Sequence, residues 1–210
     1  MKFVVISDTH GQHEKLVLPQ GDAIIHAGDL TKRGYRSEVI DFLKWYTELD
    51  FKYKIFIAGN HDFLFEQNPE VIEDLLPQNL IYLFDQSVTI EGIKIHGSPI
   101  QPWFHDWAFN RQRGEDIQRH WNLIPPDTDI LITHGPPAGM LDRLAMGIDV
   151  GCENLKTTVE KIKPKFHIFG HIHESYGIRI LEGVTYINAC ILNEDYIIQN
   201  EPLTFDFEGV

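Results

Sequence analysis

Five apolar runs in this chain end in nearly the same way. "KFVVISDTH" (Lys2–His10), "DAIIHAGD" (Asp22–Asp29), "YKIFIAGNH" (Tyr53–His61), "DILITHG" (Asp129–Gly135) and "FHIFGHIH" (Phe166–His173) each pass abruptly from hydrophobic residues to Gly, Asp, Asn or His. A short apolar run without polar alternation reads as a strand buried on both faces. The polar residues that close these runs therefore sit at strand ends, where a layered fold can bring distant parts of the chain together.

The segments between them alternate in type. "SEVIDFLKWYTEL" carries Val39, Phe42, Leu43, Tyr46 and Leu49 near helical spacing, with Ser37 as its expected N-cap. Between two strands this helix implies a right-handed parallel crossover. "PEVIEDLL" (Pro69–Leu76) opens with Pro and acids, as helix starts do. "EDIQRHWNLI" and "GCENLKTTVEKIKP" read as helices, the second stopped at Pro164. "SVTIEGIKIHG" and "YGIRILEGVTYINAC" read as hairpins around Glu91-Gly92 and Glu182-Gly183, and "LTFDF" as a last strand. "SPIQPWFHDWAFNRQRG" (Ser98–Gly114) is aromatic and rich in turn residues, so it reads as a loop. Parallel crossovers with antiparallel hairpins predict two sheets packed face to face, with helices outside.

A chain of 210 residues suits one domain, taken as 1–210. No apolar run approaches the roughly 18 residues that span a bilayer. "MKFVVISDTH" is too short in its apolar part for a signal peptide and reads as the first strand. The two cysteines, Cys152 and Cys190, are isolated and read as buried small residues, which with the missing signal peptide points to the cytoplasm. The net charge of −13 sets 31 acids against 18 bases, and the densest basic stretch, "KIKPK" (Lys161–Lys165), reads as a helix end. That balance argues against a nucleic-acid polymer as partner.

The chemistry concentrates at the strand ends. Asp8 and His10 are two apart just past a strand, a spacing that in extended backbone turns both side chains one way. His171 and His173 repeat it, and Asp29, Asn60 and His134 close the other strands. Glycines flank these positions and allow the chain to bend sharply there. Oxygen and imidazole ligands without thiolate suit Mn²⁺, Fe²⁺, Zn²⁺ or Co²⁺, and seven are too many for one tetrahedral ion. They fit two ions sharing one carboxylate. Two dications against two aspartates leave positive charge to hold a phosphate anion.

"SDTHG", "GDL", "GNHD", "THGPP" and "GHIH", in this order, resemble the calcineurin-like metallophosphoesterase superfamily over Phe3–Asn188. "SPIQPWFHDWAFNR", "DVGCENL" and "YINAC" further resemble its small metallophosphoesterase-domain subgroup, related to class III cyclic-nucleotide phosphodiesterases. The resemblance implies a four-layer α/β/β/α sandwich of two mixed sheets. It implies that Asp8, His10 and His173 bind one metal, that Asn60, His134 and His171 bind the second, and that Asp29 bridges them. Mn²⁺ is the expected activator in vitro. The implied reaction is attack of a metal-bridging hydroxide on a phosphoester, with His61 beside the substrate steadying phosphoryl charge or protonating the leaving oxygen. Asp62 either orients His61 or serves as a cap or turn former. The expected substrate is a small phosphodiester, such as a cyclic nucleotide. A phosphomonoesterase or protein phosphatase, a nuclease, and a catalytically silent metal-binding scaffold stand as alternatives, and a homodimer is compatible with the resemblance.

The remaining histidines read differently. His26, His96 and His167 lie inside apolar strands and read as core groups, and His120 sits on a helix face. His13 could line the rim of the site. Trp103, Phe104, His105, Trp107 and Phe109 could wall a pocket for a base or aryl group, and Arg111, Arg113 or Arg143 could pair with phosphate.

Overall fold

The computed structural model describes residues 1–208. Elements are numbered in chain order. The first sheet runs β13 (Leu203–Asp206), β1 (Lys2–Ile6), β2 (Ala23–Ala27), β3 (Tyr53–Ile57), β4 (Ile81–Tyr82), all parallel except β13. The second runs β11 (Gly177–Leu181), β12 (Val184–Asn188), β10 (Phe166–Phe169), β9 (Ile130–Thr133), β6 (Ile93–Ser98), β5 (Gln86–Ile90). Its four inner strands are parallel, and the hairpin strands β11 and β5 close the edges antiparallel. A short pair, β7 (Gln101–Pro102) and β8 (Asn110–Arg111), lies within the aromatic loop.

Side-chain alternation explains why the strands read as continuously apolar. Phe3, Val5, Ile25, Ile55 and Ile57 of the first sheet meet Ile95, Ile130, Ile132, Ile168 and Ile187 of the second in one inner core. Their neighbours Val4, Ile6, Ile24, Phe56, Leu131, Phe169 and Tyr186 turn the other way, into an outer core. Helix α1 (Arg36–Glu48) contributes Val39, Phe42, Leu43 and Tyr46 there, and the Tyr46 hydroxyl donates to the carbonyls of Ile24 and Ile55. Two short helices, α2 (Phe63–Gln67) and α3 (Pro69–Leu75), follow β3. Helices α4 (Glu115–Trp121) and α5 (Glu153–Ile162) add Ile117, Trp121, Leu155 and Val159 to the outer core. The result is the expected four-layer α/β/β/α sandwich, each fully buried aliphatic or Phe side chain contributing about 1.5–3 kcal/mol of transfer free energy.

Two local expectations, for Ser37 and His13, are corrected, and those for the strand histidines and the cysteines hold. Helix α1 begins at Arg36 with Tyr35 at the N-cap position. The Glu38 carboxylate accepts from the N–H groups of Tyr35 (3.0 Å) and Arg33 (3.1 Å), so Ser37 lies inside the first turn. His13 is not on the rim of the site: it is buried against Phe42 and Trp45, 3.4 Å from Asp41. His26, His96 and His167 are buried in their strands, each 2.9 Å from a hydroxyl, of Thr9, Ser87 and Thr133. Both cysteines are free and buried. No helix among the described residues is long and apolar enough to cross a membrane.

At one end the two sheets are tied together. Ser7, just past β1, pairs with Cys190, just past β12, and Ile191 N–H donates to Ser7 O (3.0 Å). The ends of β1, β2, β3, β9 and β10 converge here.

Candidate metal centre

The loops leaving these strands take an uncommon backbone. Asp8, His10, Asp29 and His171 have φ of 55°, 42°, 55° and 69°. Left-handed conformation at a non-glycine residue costs on the order of 1–3 kcal/mol and persists only where neighbours enforce it. Here Asp8 N–H donates to Gly28 O (2.9 Å), His10 N–H to Asp29 O (3.1 Å) and Gly11 N–H to Leu30 O (3.0 Å), zipping two ligand loops together. Asp8 and His10 thus converge through a turn, not through the extended spacing read from the sequence. His173 likewise opens a single 3-10 turn, His173–Ser175.

Two of the flanking glycines serve space more than torsion. A Cβ at Gly59 would collide with the Asp29 nitrogen and Oδ1, and one at Gly170 with Asp8 Oδ2 and Ser7 Oγ.

Four imidazoles are aimed by one device. Nδ1 of His10, His61, His134 and His173 lies 3.2, 2.7, 3.0 and 2.9 Å from the carbonyls of Thr31, Lys32, Ala27 and Asn193. A carbonyl only accepts, so Nδ1 carries the proton and Nε2 is turned inward. His10 Nε2 lies 3.6 Å from Asp29 Oδ2 and 4.0 Å from Asp8 Oδ1. His173 Nε2 is 3.5 Å from Asp8 Oδ1, and His134 Nε2 is 3.5 Å from Asp29 Oδ1 and 2.8 Å from Asn60 Oδ1.

Nitrogen lone pairs facing carboxylate oxygens in a dry interior need positive charge between them. His10 Nε2 is buried with no hydrogen-bond partner among the described residues. The donor atoms of Asp8, His10 and His173, and those of Asp29, His134 and His171, each lie within 4.8 Å of one another. A third such group, His10, Asp29 and His61, joins them, so Asp29 stands where a shared carboxylate would. This donor set fits divalent cations: Asp8, His10 and His173 would hold one, Asn60, His134 and His171 another, with Asp29 between.

Protonation follows the same logic. Burial works to raise Asp8, but the His173 hydrogen bond and the charges of His173, His134 and His10 bring it well below the usual carboxylate range. Burial also opposes ionisation of Asp29, yet His134 and His61 pull it down strongly. Burial lowers His134 and His173, but Asp29 and Asp8 outweigh it and lift both to about 9. His10 and His171, where burial dominates, fall to about 4. In the metal-free protein two protons therefore occupy the places that cations would take.

The expected catalytic and substrate residues divide. His61 sits at the cluster, its Nε2 4.0 Å from Asp29 Oδ2. Asp62 does not orient it; Lys32 O does. The Asp62 carboxylate instead accepts from the N–H groups of Leu30 (3.1 Å), Thr31 (2.9 Å) and Gly59 (2.8 Å) and from Thr31 Oγ1 (2.7 Å). It clamps the Asp29 loop to the Asn60 turn. Burial and the Asp29 charge push its pKa up to about 6 against these donors.

Arg111 is turned away from the site, its Nη1 3.3 Å from Glu66 and its Nε 3.1 Å from His120 Nε2, whose Nδ1 bonds Asp85 (2.7 Å). Arg143 does not line the cavity either; it is engaged by Gly147 O and by Asp149, which does. His105 stacks edge-on against Phe104 and does not line the cavity.

Trp103 does line it. A cavity of about 400 Å³ opens on Asp29, Asn60, His61, His171 and His173, walled by Trp103, Phe104, Trp107, Leu144, Val150 and Tyr196. The sequence reading missed Tyr196, whose ring is 4.9 Å from that of His10 and 5.3 Å from that of His173. It also missed the role of Cys190, whose thiol touches Asp8. No local pattern announces either; both depend on the loop after β12 folding back over β1.

A two-sheet sandwich whose strand ends gather oxygen and imidazole donors around Asp29 has the donor set of a metal centre. The chain belongs to the calcineurin-like phosphoesterase family, whose profile matches residues 1–175. It is 42% identical to human metallophosphoesterase domain-containing protein 1, in an alignment covering 98% of this chain and 70% of that protein. It is 39% identical to UPF0046 protein K07C11.7 of Caenorhabditis elegans, over 98% of this chain and 74% of that one. Among solved structures, TT1561 of Thermus thermophilus superposes with a TM-score of 0.62 at 14% identity, over 89% of this chain and 88% of that chain. GAP50, the anchor in the inner membrane complex of Plasmodium, gives 0.54 at 10% identity, over 91% and 71%. These two likenesses speak to the fold alone. The protein is a metal-dependent phosphoesterase.

Proposed function

We propose that it hydrolyses small phosphodiesters, with two divalent cations, of which Mn²⁺ is the expected activator in vitro. The observation that carries this reading is the composition of the cavity wall. Of the Arg and Lys side chains among the described residues, only Arg113 lines it. That guanidinium is already engaged by the carbonyls of Val150 and Gly151 and by Glu153. A monoester dianion calls for added cationic side chains, whereas a diester monoanion brings a second organic substituent that needs an apolar wall. Trp103, Phe104, Leu144 and Val150 supply one, and a volume of about 400 Å³ suits a small molecule.

When bound, the cations would supply Lewis-acid charge to the phosphoryl group and acidify a water molecule. The chain's own residues do the rest. His61, anchored through Nδ1, presents Nε2 at the cavity and, as an imidazolium with a proton on each nitrogen, delivers the Nε2 proton to the leaving oxygen and keeps the one on Nδ1, a contribution of about 10²–10⁴-fold. Asp62 holds the turn from which Asn60 and His61 project. Two free buried thiols support action in a reducing cytoplasm.

Hydrolysis of bis-(p-nitrophenyl) phosphate and of p-nitrophenyl phosphate, compared with Mn²⁺ present, tests the proposal. Higher kcat/KM on the diester is expected. Preference for the monoester would make the protein a phosphatase, and no turnover of either with any divalent ion would make it a metal-binding scaffold.

A further inference from the structure

The aromatic loop is fastened to the turn that carries His61. Ala108 N–H donates to Asn60 O (3.1 Å), and Phe109 N–H donates to Glu66 of α2 (2.9 Å). Arg111, on the far side of the loop, grips the same Glu66. Ala108 and Phe109 are buried, and Phe109 is held at φ 59°. The loop tip at Trp103 and Phe104 is half exposed, but its base is fixed to the GNHD turn and to the helix that follows it. These ties lay the Trp107 indole on the His61 imidazole, with ring centroids 4.2 Å apart and planes 27° from parallel.

The Nδ1 bond to Lys32 O fixes His61 at one point, and the rings of His10 (centroids 4.6 Å apart) and Tyr196 (6.4 Å) meet it at an angle, which leaves freedom to swing where neither packs flat. A stacked indole removes that freedom by blocking motion out of the ring plane. It keeps Nε2 on the side of Asp29, where a leaving oxygen would be protonated. We propose that Trp107 is a positioning residue acting through His61 on leaving-group protonation. This rests on the general-acid role assigned to His61 above. Misplacing a proton donor by about 1 Å can cost about 100-fold, so the effect belongs on kcat and should grow as the leaving group becomes a poorer one.

The test uses the full chain loaded with Mn²⁺ and a series of aryl methyl phosphates of rising leaving-group pKa. Trp107→Leu and Trp107→Phe are each made alone and in a His61→Gln background. Trp107→Leu should lower kcat about 10- to 100-fold on the poorest leaving groups and less than about 3-fold on p-nitrophenolate. Trp107→Phe, which keeps a stacking face, should recover most of the loss. Metal content should be unchanged in all variants. In the His61→Gln background Trp107→Leu should have no further effect, because residues acting through one another are non-additive. In the NMR spectrum of the metal-free chain, the His61 ring protons should carry a ring-current shift that Trp107→Leu abolishes.

A uniform loss across leaving groups, or an undiminished effect in the His61→Gln background, overturns the inference and leaves the role of His61 standing. Unchanged turnover of the poor leaving groups in His61→Gln alone overturns both.

Discussion

The Cys190 thiol lies 3.1 Å from Asp8 Oδ2 and donates to it from 182 residues away in sequence. Burial, with the Asp8 charge, pushes the thiol pKa well up, so it remains a donor. Asp8 also accepts from His171 N–H, at 3.1 Å on Oδ1 and 3.0 Å on Oδ2. Cys190 thereby holds Oδ2 inward, and Oδ1 is left facing His10 and His173.

Cys190→Ala should therefore weaken metal binding about 10- to 100-fold, the usual effect of removing a group that orients a ligand. Cys190→Ser, which keeps a donor, should restore most of it. Competition with a chelating dye measures both. Equal affinity in the two variants and the parent would show that the thiol merely fills space.

Asp29→Ala should abolish high-affinity metal binding at both positions, because this carboxylate faces His10 on one side and His134 on the other. Elemental analysis after gel filtration should find less than about half the parent's metal, with turnover at background. Retention of one full equivalent would mean that the two clusters are independent.

Asp62→Ala leaves the N–H groups of Leu30, Thr31 and Gly59 without their acceptor. At about 1–3 kcal/mol for each buried group left unpaired, the variant should lose roughly 3 kcal/mol or more in urea unfolding of the metal-free chain. A variant of parental stability that fails only in turnover would return Asp62 to a catalytic role.

Burial holds His26 and His167 at a pKa of about 3 in the fold, against about 6.5 for an exposed histidine. Below pH 6.5 the unfolded chain takes up protons that the folded chain refuses. The stability these neutral rings permit is thus complete above pH 6.5 and is lost as pH falls from there towards 3. Each contributes a slope of up to about 1.4 kcal/mol per pH unit in that window. Urea unfolding of the metal-free protein at pH 7.5, 6 and 5 should show this decline, and His167→Gln should remove one residue's share of the slope. An unchanged slope would mean that His167 is protonated within the fold.

Much of the centre was legible before any coordinates, because strand ends have a signature. A run buried on both faces carries few polar residues, so Asp8, Asp29, Asn60, His134 and His171 stand out where each run breaks. The hairpins at Glu91-Gly92 and Glu182-Gly183 were legible for a similar local reason. Ser37 misled as a cap because a good capping residue one position inside a helix has the same local appearance. Arg111 misled as a phosphate ligand because its partners, Glu66 and His120, come from other elements.

By itself the sequence determined the strand runs, the inventory of ligand atoms and their order along the chain, since these depend on residue type and spacing of two to four positions. Only the tertiary structure decided which way each imidazole points, that Asp62 clamps backbone, that Cys190 supports Asp8 and that Trp107 lies on His61. Those outcomes depend on which carbonyl, carboxylate or ring face arrives from a distant loop, and separation along the chain carries no record of it.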